Sequence, residues 1–313
     1  MTREELLSAT EPLYTVVVTC YNQEEFIVEC LESVKDQDYA QVELIVCDDK
    51  SSDNTVIIAE RWLNDNKDSF VRSELLVNAE NLGISGNHNA GLSKATGKYI
   101  SFIHGDDKLY NHTSLTDAID FIQAENLTFT SLRIRAFLDC GNGKYELQEL
   151  LPAEKALPLF KQDPLKQFRS LLTSCWIPGV LVTETDFLRE IGGFDEEFRS
   201  AEDWCLWLKL SRTGYRIGIN DKPFLFYRRH PKSITVTSIA EGKSDFVLNK
   251  LKAIEKYIFP FKSLLRPYDR WSVYIYYRYL NAIVKFGCSK QAYRKARWIK
   301  LFDPIKLFKS LFF

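Results

Sequence analysis

Three adjacent acid pairs stand where the chain leaves an apolar run or enters one. Asp48-Asp49 closes Val42 to Cys47, Asp106-Asp107 closes Tyr99 to Ile103, and Glu202-Asp203 opens an amphipathic stretch. A carboxylate pair just past a strand can hold a hard divalent cation, which in turn can hold phosphates. A carboxylate fixed at the start of a firm helix can take the proton of a hydroxyl. Thr19-Cys20-Tyr21-Asn22 ends another apolar run with groups that hydrogen-bond well, and Arg228-Arg229-His230 ends a last one with cations suited to a diphosphate. A plainer reading stands beside each. Asp is common in turns and caps helices well, so Asp106, Asp107 and Asp203 would then only punctuate the chain. The basic run would be solvated surface, and Asp195 a turn residue after Gly192-Gly193.

The elements that must position these groups follow from periodicity. Tyr14 to Cys20, Val42 to Cys47, Glu74 to Val77 and Tyr99 to Ile103 have the β-branched and aromatic character of buried strands. Helical spacing fills the intervals: Glu24 to Asp36, a helix through Val56 to Leu63 with Asp53 as its cap, and the small-residue stretch Ser85 to Lys94. Strands alternating with helices imply an α/β fold with a mostly parallel central sheet. Ligands in such sheets bind beyond the carboxyl ends of the strands, so the three strand ends above would share one edge. A helix from about Thr113 to Glu125 and an alternating stretch Phe129 to Leu138 come next. Asp139 to Pro164 reads as loop. Val180 to Val182 is a strand, Ala201 onward a strong amphipathic helix, and Phe224 to Tyr227 a last strand. No glycine loop of an NTPase or dinucleotide enzyme follows the first strand.

Composition is that of a folded globular chain, 313 residues long with a net charge of −1. The charge is unevenly spread. Asp245 to Phe313 holds 15 Lys/Arg against 4 Asp/Glu, a net of about +11, which leaves about −12 for the rest. Seven cysteines, none in a Cys-x-x-Cys pair, point to a reducing compartment and free thiols rather than disulfides or zinc. The first twelve residues are polar and acidic, unlike a signal peptide, and no run is long and apolar enough to span a bilayer.

The order and spacing of VVVTCYNQEEFI, VELIVCDDKSSDNT, NAENLGISGNHNAGLSKATGKYISFIHGDD, IGGFDEEF and AEDWCLWLKL resemble the family 2 glycosyltransferases. The resemblance covers Tyr14 to Ile234. It implies the GT-A fold in residues 1–240, followed by a basic, aromatic helical region in 241–313. It implies an inverting transfer from a nucleotide-sugar, most readily a UDP-sugar, to a saccharide or lipid-linked saccharide in bacterial surface-polysaccharide assembly. Asp203 would be the general base. Thr19, Tyr21, Asn22, Asp49, Asp106 and His230 would bind the donor, with Asp49 on the base and Asp106 on the ribose. Asp106 and Asp107 would hold Mn or Mg, and Glu202 and Trp204 would contact the acceptor. One departure is visible: His104 stands where the family often has the first Asp of its D-x-D motif.

The tail has its own expectations: Asp269 caps a helix through Trp271, Tyr274, Ile275 and Tyr279, and Asp303-Pro304 starts a last helix. Basic residues among Trp, Tyr and Phe suit an anionic membrane surface, placing the enzyme on the cytoplasmic face of the cell membrane. A packed helical subdomain or a homodimer contact is the alternative, and nucleic acid is not expected as a partner. Two other functions remain on this reading: a nucleotidyltransferase of related topology, and a nucleotide-sugar-binding protein without catalysis.

Overall fold

A computed structural model describes residues 11–140, 144–231, 233 and 244–302. The helix expected from Asp303-Pro304 lies outside the described residues. The chain divides into two compact units, the first drawn from Met1–Leu157, Ile177–Glu202 and Gly218–Arg228, the second from Pro158–Trp176, Asp203–Ile217 and Arg229–Phe313.

The first unit begins as strand and helix in alternation. These are β1 (Tyr14–Cys20), α1 (Ile27–Lys35), β2 (Val42–Asp48), α2 (Thr55–Asn66), β3 (Arg72–Val77), α3 (Gly83–Lys94) and β4 (Tyr99–His104). It continues with β5 (Lys108–Leu109), α4 (Ser114–Ala124), β6 (Phe129–Asp139), β7 (Tyr145–Leu151), β8 (Leu181–Glu184) and β9 (Gly218–Arg229). The strands form one sheet in the order β3-β2-β1-β4-β8-β6-β9-β5, with β7 added beside β6. Neighbours from β3 to β4 run parallel. The pairs β4–β8, β6–β8, β6–β7 and β5–β9 are antiparallel. The sheet is therefore mixed, and its parallel half carries the expected strand ends.

Every residue of β1 and β2 is buried, because helices cover both faces of these strands. Val16, Val18, Leu44 and Val46 pack with Leu31 and Val34 of α1, Ala59 and Leu63 of α2, and Leu115 and Ile119 of α4. Each such aliphatic side chain contributes about 1.5–3 kcal/mol by leaving water. On the opposite face α3 lies close to the strands. A Cβ on Gly91 would stand 2.4 Å from Val17 Cγ1, which accounts for the small residues of that helix.

Glu43 interrupts the apolar run of β2 and is fully buried. Its carboxylate accepts from Thr15 Oγ1 at 2.6 Å, Thr96 N at 2.7 Å, Thr96 Oγ1 at 2.7 Å and Arg72 Nη1 at 2.6 Å. Burial alone would raise its pKa, but these bonds outweigh it and lower it.

The second unit is helical: Pro164–Ser170, most of Glu202–Arg212, Ser244–Tyr257, Pro267–Lys285 and Lys290–Ala296. Phe160, Phe168, Leu171, Trp204, Trp207, Ile254, Ile258 and Ile283 are buried. Gln167 ties the unit internally, donating to Phe160 O at 3.2 Å and Ile217 O at 2.9 Å and accepting from Ile217 N at 2.8 Å.

Four local readings change. Asn54, not Asp53, is the N-cap of α2; Asp53 Oδ1 instead accepts from Thr55 N at 3.0 Å. Asp269 is the third residue of its helix, behind Arg266 and Pro267, and accepts from Arg266 N at 3.2 Å. The stretch read as loop contains β7, whose residues are mostly exposed and rich in Glu and Gln, so no apolar alternation marks it. The last strand begins at Gly218, hidden by Asn220, Asp221, Lys222 and Pro223, all poor strand formers.

Candidate active site

The register brings the acidic ends together. Thr19 pairs with Cys47 on one side and His104 on the other, so the segments after β1, β2 and β4 leave the sheet at one level. Gly105 allows this crowding: a Cβ there would meet Gln23 Oε1 at 2.6 Å and Ile27 Cδ1 at 2.9 Å. Tyr21 is 47% exposed above the edge. Asn22 has φ 52°, a left-handed conformation that Asn tolerates, and its Oδ1 accepts from Ser52 N at 2.8 Å.

The two acids after β2 do different work. Asp48 is buried and folds its own loop, accepting from Ser51 N at 2.7 Å and Ser51 Oγ at 2.5 Å. Asp49 accepts from Leu82 N at 2.7 Å, Gly83 N at 2.9 Å and Asn78 Nδ2 at 3.1 Å. Its carboxylate thus satisfies donors at the start of α3, where a negative charge is also favoured by the helix dipole. Gly83 has φ 77°, and its bare Cα lets the turn approach Arg199.

Asp106 is half-buried and Asp107 buried. Asp107 Oδ1 accepts from the main-chain N–H of Arg228 at 2.8 Å, and Arg228 Nε donates to Asp106 O at 2.7 Å. Arg228 also pairs with Asp139 and Glu29, and its guanidinium lies 4.9 Å from the ring of Phe26 and 4.8 Å from that of Phe137. Arg228 is therefore neither solvated nor reaching for a ligand; it fastens the loop that carries the acid pair. Sequence spacing could not reveal this, because Glu29, Asp106, Asp139 and Arg228 are far apart in the chain.

His104 closes β4 with Nδ1 3.1 Å from Thr19 Oγ1. Its ring stacks on that of His88, with centroids 5.5 Å apart and 23° between planes. His88, on α3, is buried against Phe102 and Phe194, and neither ring nitrogen has a hydrogen-bond partner among the described residues. Burial, reinforced by His104, pushes its pKa well down, so the ring is neutral. The residue in the departed position thus packs into an aromatic cluster, and His88 was not singled out by the sequence.

The remaining expected residues lie at the unit boundary or in the second unit. Ala201 has φ 72°, a strained conformation for a residue with a Cβ, directly before Glu202. Glu202 and Asp203 are half-buried at the start of their helix. Asp203 Oδ2 accepts the Cys175 thiol at 3.5 Å. Trp204 is 2% exposed, and its indole N–H donates to Leu171 O at 2.8 Å, so it is a core side chain of that unit. His230 is buried, and its main-chain N–H donates to Ser233 Oγ at 3.2 Å.

Among the described residues no cluster of three or more His, Cys, Asp or Glu is arranged to hold an ion. Asp106 and Asp107 offer two oxygen ligands. That suits a cation of the Mg type, which commonly takes one or two carboxylates and completes its shell with phosphate oxygens and water. Asp107 supports the fit. Burial first, then the charge of Asp106, push its carboxyl well above the usual range, against the opposing pull of Arg228. A buried carboxylate short of positive charge is what a divalent cation would stabilise.

A model of glycosyl transferase family 2 matches residues 15–178. Among curated proteins the chain is 27% identical over 225 residues to the uncharacterized glycosyltransferase EpsJ of Bacillus subtilis, covering 72% of this chain and 63% of that one. It is 29% identical over 249 residues to the Escherichia coli UDP-Glc:alpha-D-GlcNAc-diphosphoundecaprenol beta-1,3-glucosyltransferase WfgD, covering 77% and 89%. It spans 40% of the length of the poly(ribitol-phosphate) beta-N-acetylglucosaminyltransferase TarS of Staphylococcus aureus. Two solved structures share the fold. TarS residues 1–349 with UDP-GlcNAc gives a TM-score of 0.60 at 20% identity, over 93% of this chain and 82% of that one. The mannosyltransferase PcManGT of Pyrobaculum calidifontis with GDP-Man and Mn2+ gives 0.59 at 19%, over 93% and 75%.

Proposed function

Because the chain belongs to glycosyl transferase family 2, we propose that it moves a hexosyl unit from a UDP-sugar to a saccharide or lipid-linked saccharide during synthesis of a bacterial surface polymer. The observation that carries the reading is the shared edge of β1, β2 and β4, where Asp49 and the pair Asp106-Asp107 follow strands in register. The UDP-GlcNAc bound by TarS and the UDP-Glc named for WfgD support the donor class.

In this reading Thr19, Tyr21, Asn22 and Asp49 form the nucleoside end of the donor site. Asp106 takes the ribose, and His230 serves the diphosphate. Asp106 and Asp107 would hold Mn or Mg, whose contribution is to neutralise charge on the departing diphosphate. Asp203 removes the proton of the acceptor hydroxyl as it attacks from the face opposite the leaving group, which inverts the anomeric centre. Glu202 contacts the acceptor, while Trp204 anchors the helix behind it. The β-linkages named for WfgD and TarS support inversion.

The second unit adds a membrane reading. No helix among the described residues is long and apolar enough to cross a membrane. Helix Pro267–Lys285 instead exposes Tyr268, Trp271 and Tyr274 beside Arg270 and Arg278, the mixture that rests at an anionic lipid surface.

The experiment is a panel of UDP- and GDP-sugars with Mn2+, scored for nucleoside diphosphate release with and without a lipid-linked N-acetylglucosamine diphosphate acceptor. Release from a UDP-sugar, accelerated by acceptor, is expected. A folded protein that releases nothing from any donor would overturn the reading.

A further inference from the structure

The two solved structures that share the fold hold different bases, UDP-GlcNAc in one and GDP-Man in the other, so the fold alone leaves the base open. Around Asp49 a line of amides that starts on β2 narrows the choice. The Cys47 carbonyl can only accept, and Asn87 Nδ2 donates to it at 2.9 Å. That contact fixes the amide of Asn87, buried on α3, and leaves its Oδ1 to Asn78. Asn78 Nδ2 donates to this oxygen at 3.0 Å and gives its second hydrogen to Asp49 Oδ1 at 3.1 Å. Neither amide can turn over without setting oxygen against oxygen.

Each carboxylate oxygen offers a pair of lone-pair positions. On Asp49 Oδ1 both are filled, by Leu82 N at 2.7 Å and by Asn78 Nδ2. Among the described residues Oδ2 accepts from Gly83 N at 2.9 Å, which leaves it a single open position. The imide edge of uracil carries a single donor, N3–H, between carbonyl acceptors. The matching edge of guanine carries adjacent donors, N1–H and the N2 amino group, which a carboxylate answers with both of its oxygens. Resting on the assignment of Asp49 to the nucleobase, we infer that Asn78 and Asn87 are positioning residues that set base specificity. By filling Asp49 Oδ1 they leave one acceptor, which suits uracil and strands a donor of guanine. A buried donor without a partner is what such a site rejects most strongly.

The test is calorimetric titration of UDP and of GDP, each with Mn2+, on full-length wild type, Asn78→Ala, Asn87→Ala, the double variant and Asp49→Asn, with thermal unfolding as a control. Wild type should bind UDP about 10- to 100-fold more tightly than GDP. Asn78→Ala opens the second position on Oδ1, so this ratio should fall by about 10-fold through a gain in GDP affinity. Asn87→Ala frees the Asn78 amide to turn and should lower the ratio by less. The double variant should match Asn78→Ala alone, because both residues act through one line of bonds. A merely structural role would weaken both nucleotides alike and leave the ratio fixed. Wild type that binds GDP as tightly as UDP would overturn the inference, as would the wild-type ratio in whichever of the Asn78 or Asn87 variants folds. Asp49→Asn separates this from the underlying assignment. If it binds UDP as wild type does, Asp49 does not read the base; if it loses UDP while the other variants keep the wild-type ratio, only the role of the two asparagines fails.

Discussion

The main-chain N–H of Arg228 donates to Asp107 Oδ1 at 2.8 Å, joining the last residues of β9 to the acid pair that follows β4. The side chain of the same arginine holds Asp106 O at 2.7 Å and pairs with Glu29 and Asp139. A residue expected to be solvated or to grip a diphosphate is instead the fastening of the loop.

Arg228→Ala should therefore lower stability by about 3 kcal/mol, the scale for removing one partner from a buried charge network. Arg228→Lys should recover only part of this, since an ammonium cannot reproduce the guanidinium fork or its stacking on Phe26 and Phe137. Urea unfolding measures both. Equal stability of Arg228→Ala and wild type would remove the fastening role.

Asp107→Ala should abolish divalent-dependent binding of UDP, and Asp106→Ala should weaken it less. Calorimetric titration of UDP with and without Mn2+ checks this. Unchanged affinity and unchanged metal dependence in both variants would displace the metal site from this pair.

Much of this edge was legible in the sequence. Tyr14 to Cys20 and Val42 to Cys47 are apolar runs of strand length, and strands covered on both faces have that signature. Asp48-Asp49 marks where the second run stops, and Asp106-Asp107 follows the run Tyr99 to Ile103. What was not legible depends on pairing between distant residues. Glu43 looks like a misfit in β2 until Thr15, Thr96 and Arg72 are placed around it. Nothing local distinguishes Asp48, which folds its own loop, from Asp49, which satisfies the start of α3. The burial of His88 beneath His104 follows from the packing of α3 on the sheet, which spacing alone does not give. β7 escaped notice because its exposed Glu and Gln side chains supply no apolar alternation.

Glu43 gives a pH prediction with a defined sign. Its folded pKa is lowered, so its contribution to stability is present above the ordinary Glu value near ~4.3 and is lost as pH falls through the folded value. Glu43→Gln should destabilise at pH 7, and the gap from wild type should shrink below about pH 4. Urea midpoints at pH 7 and pH 3.5 test this. A gap that widens on acidification would contradict the sign.

For the membrane reading, sedimentation with vesicles of anionic and of zwitterionic lipid is informative. Full-length protein should bind the anionic vesicles at low salt and lose binding as salt screens the charges. Trp271→Ala with Tyr274→Ala, or Arg270→Gln with Arg278→Gln, should each weaken binding without changing donor hydrolysis. Indifference of the wild type to anionic vesicles would leave the exposed aromatic face to another partner.

The most direct test of the central claim is single-turnover sugar transfer by Asp203→Asn beside wild type, using a UDP-sugar and an acceptor that the wild type accepts. Asn preserves the size of Asp and can still accept from the Trp204 N–H, as Asp203 Oδ1 does at 2.6 Å, but it is not a base. The account predicts a fall in transfer of at least about 10²-fold, with UDP affinity and thermal stability near wild type. Transfer at close to the wild-type rate would mean that Asp203 only braces the first turn of its helix, and that the proton is taken by another carboxylate.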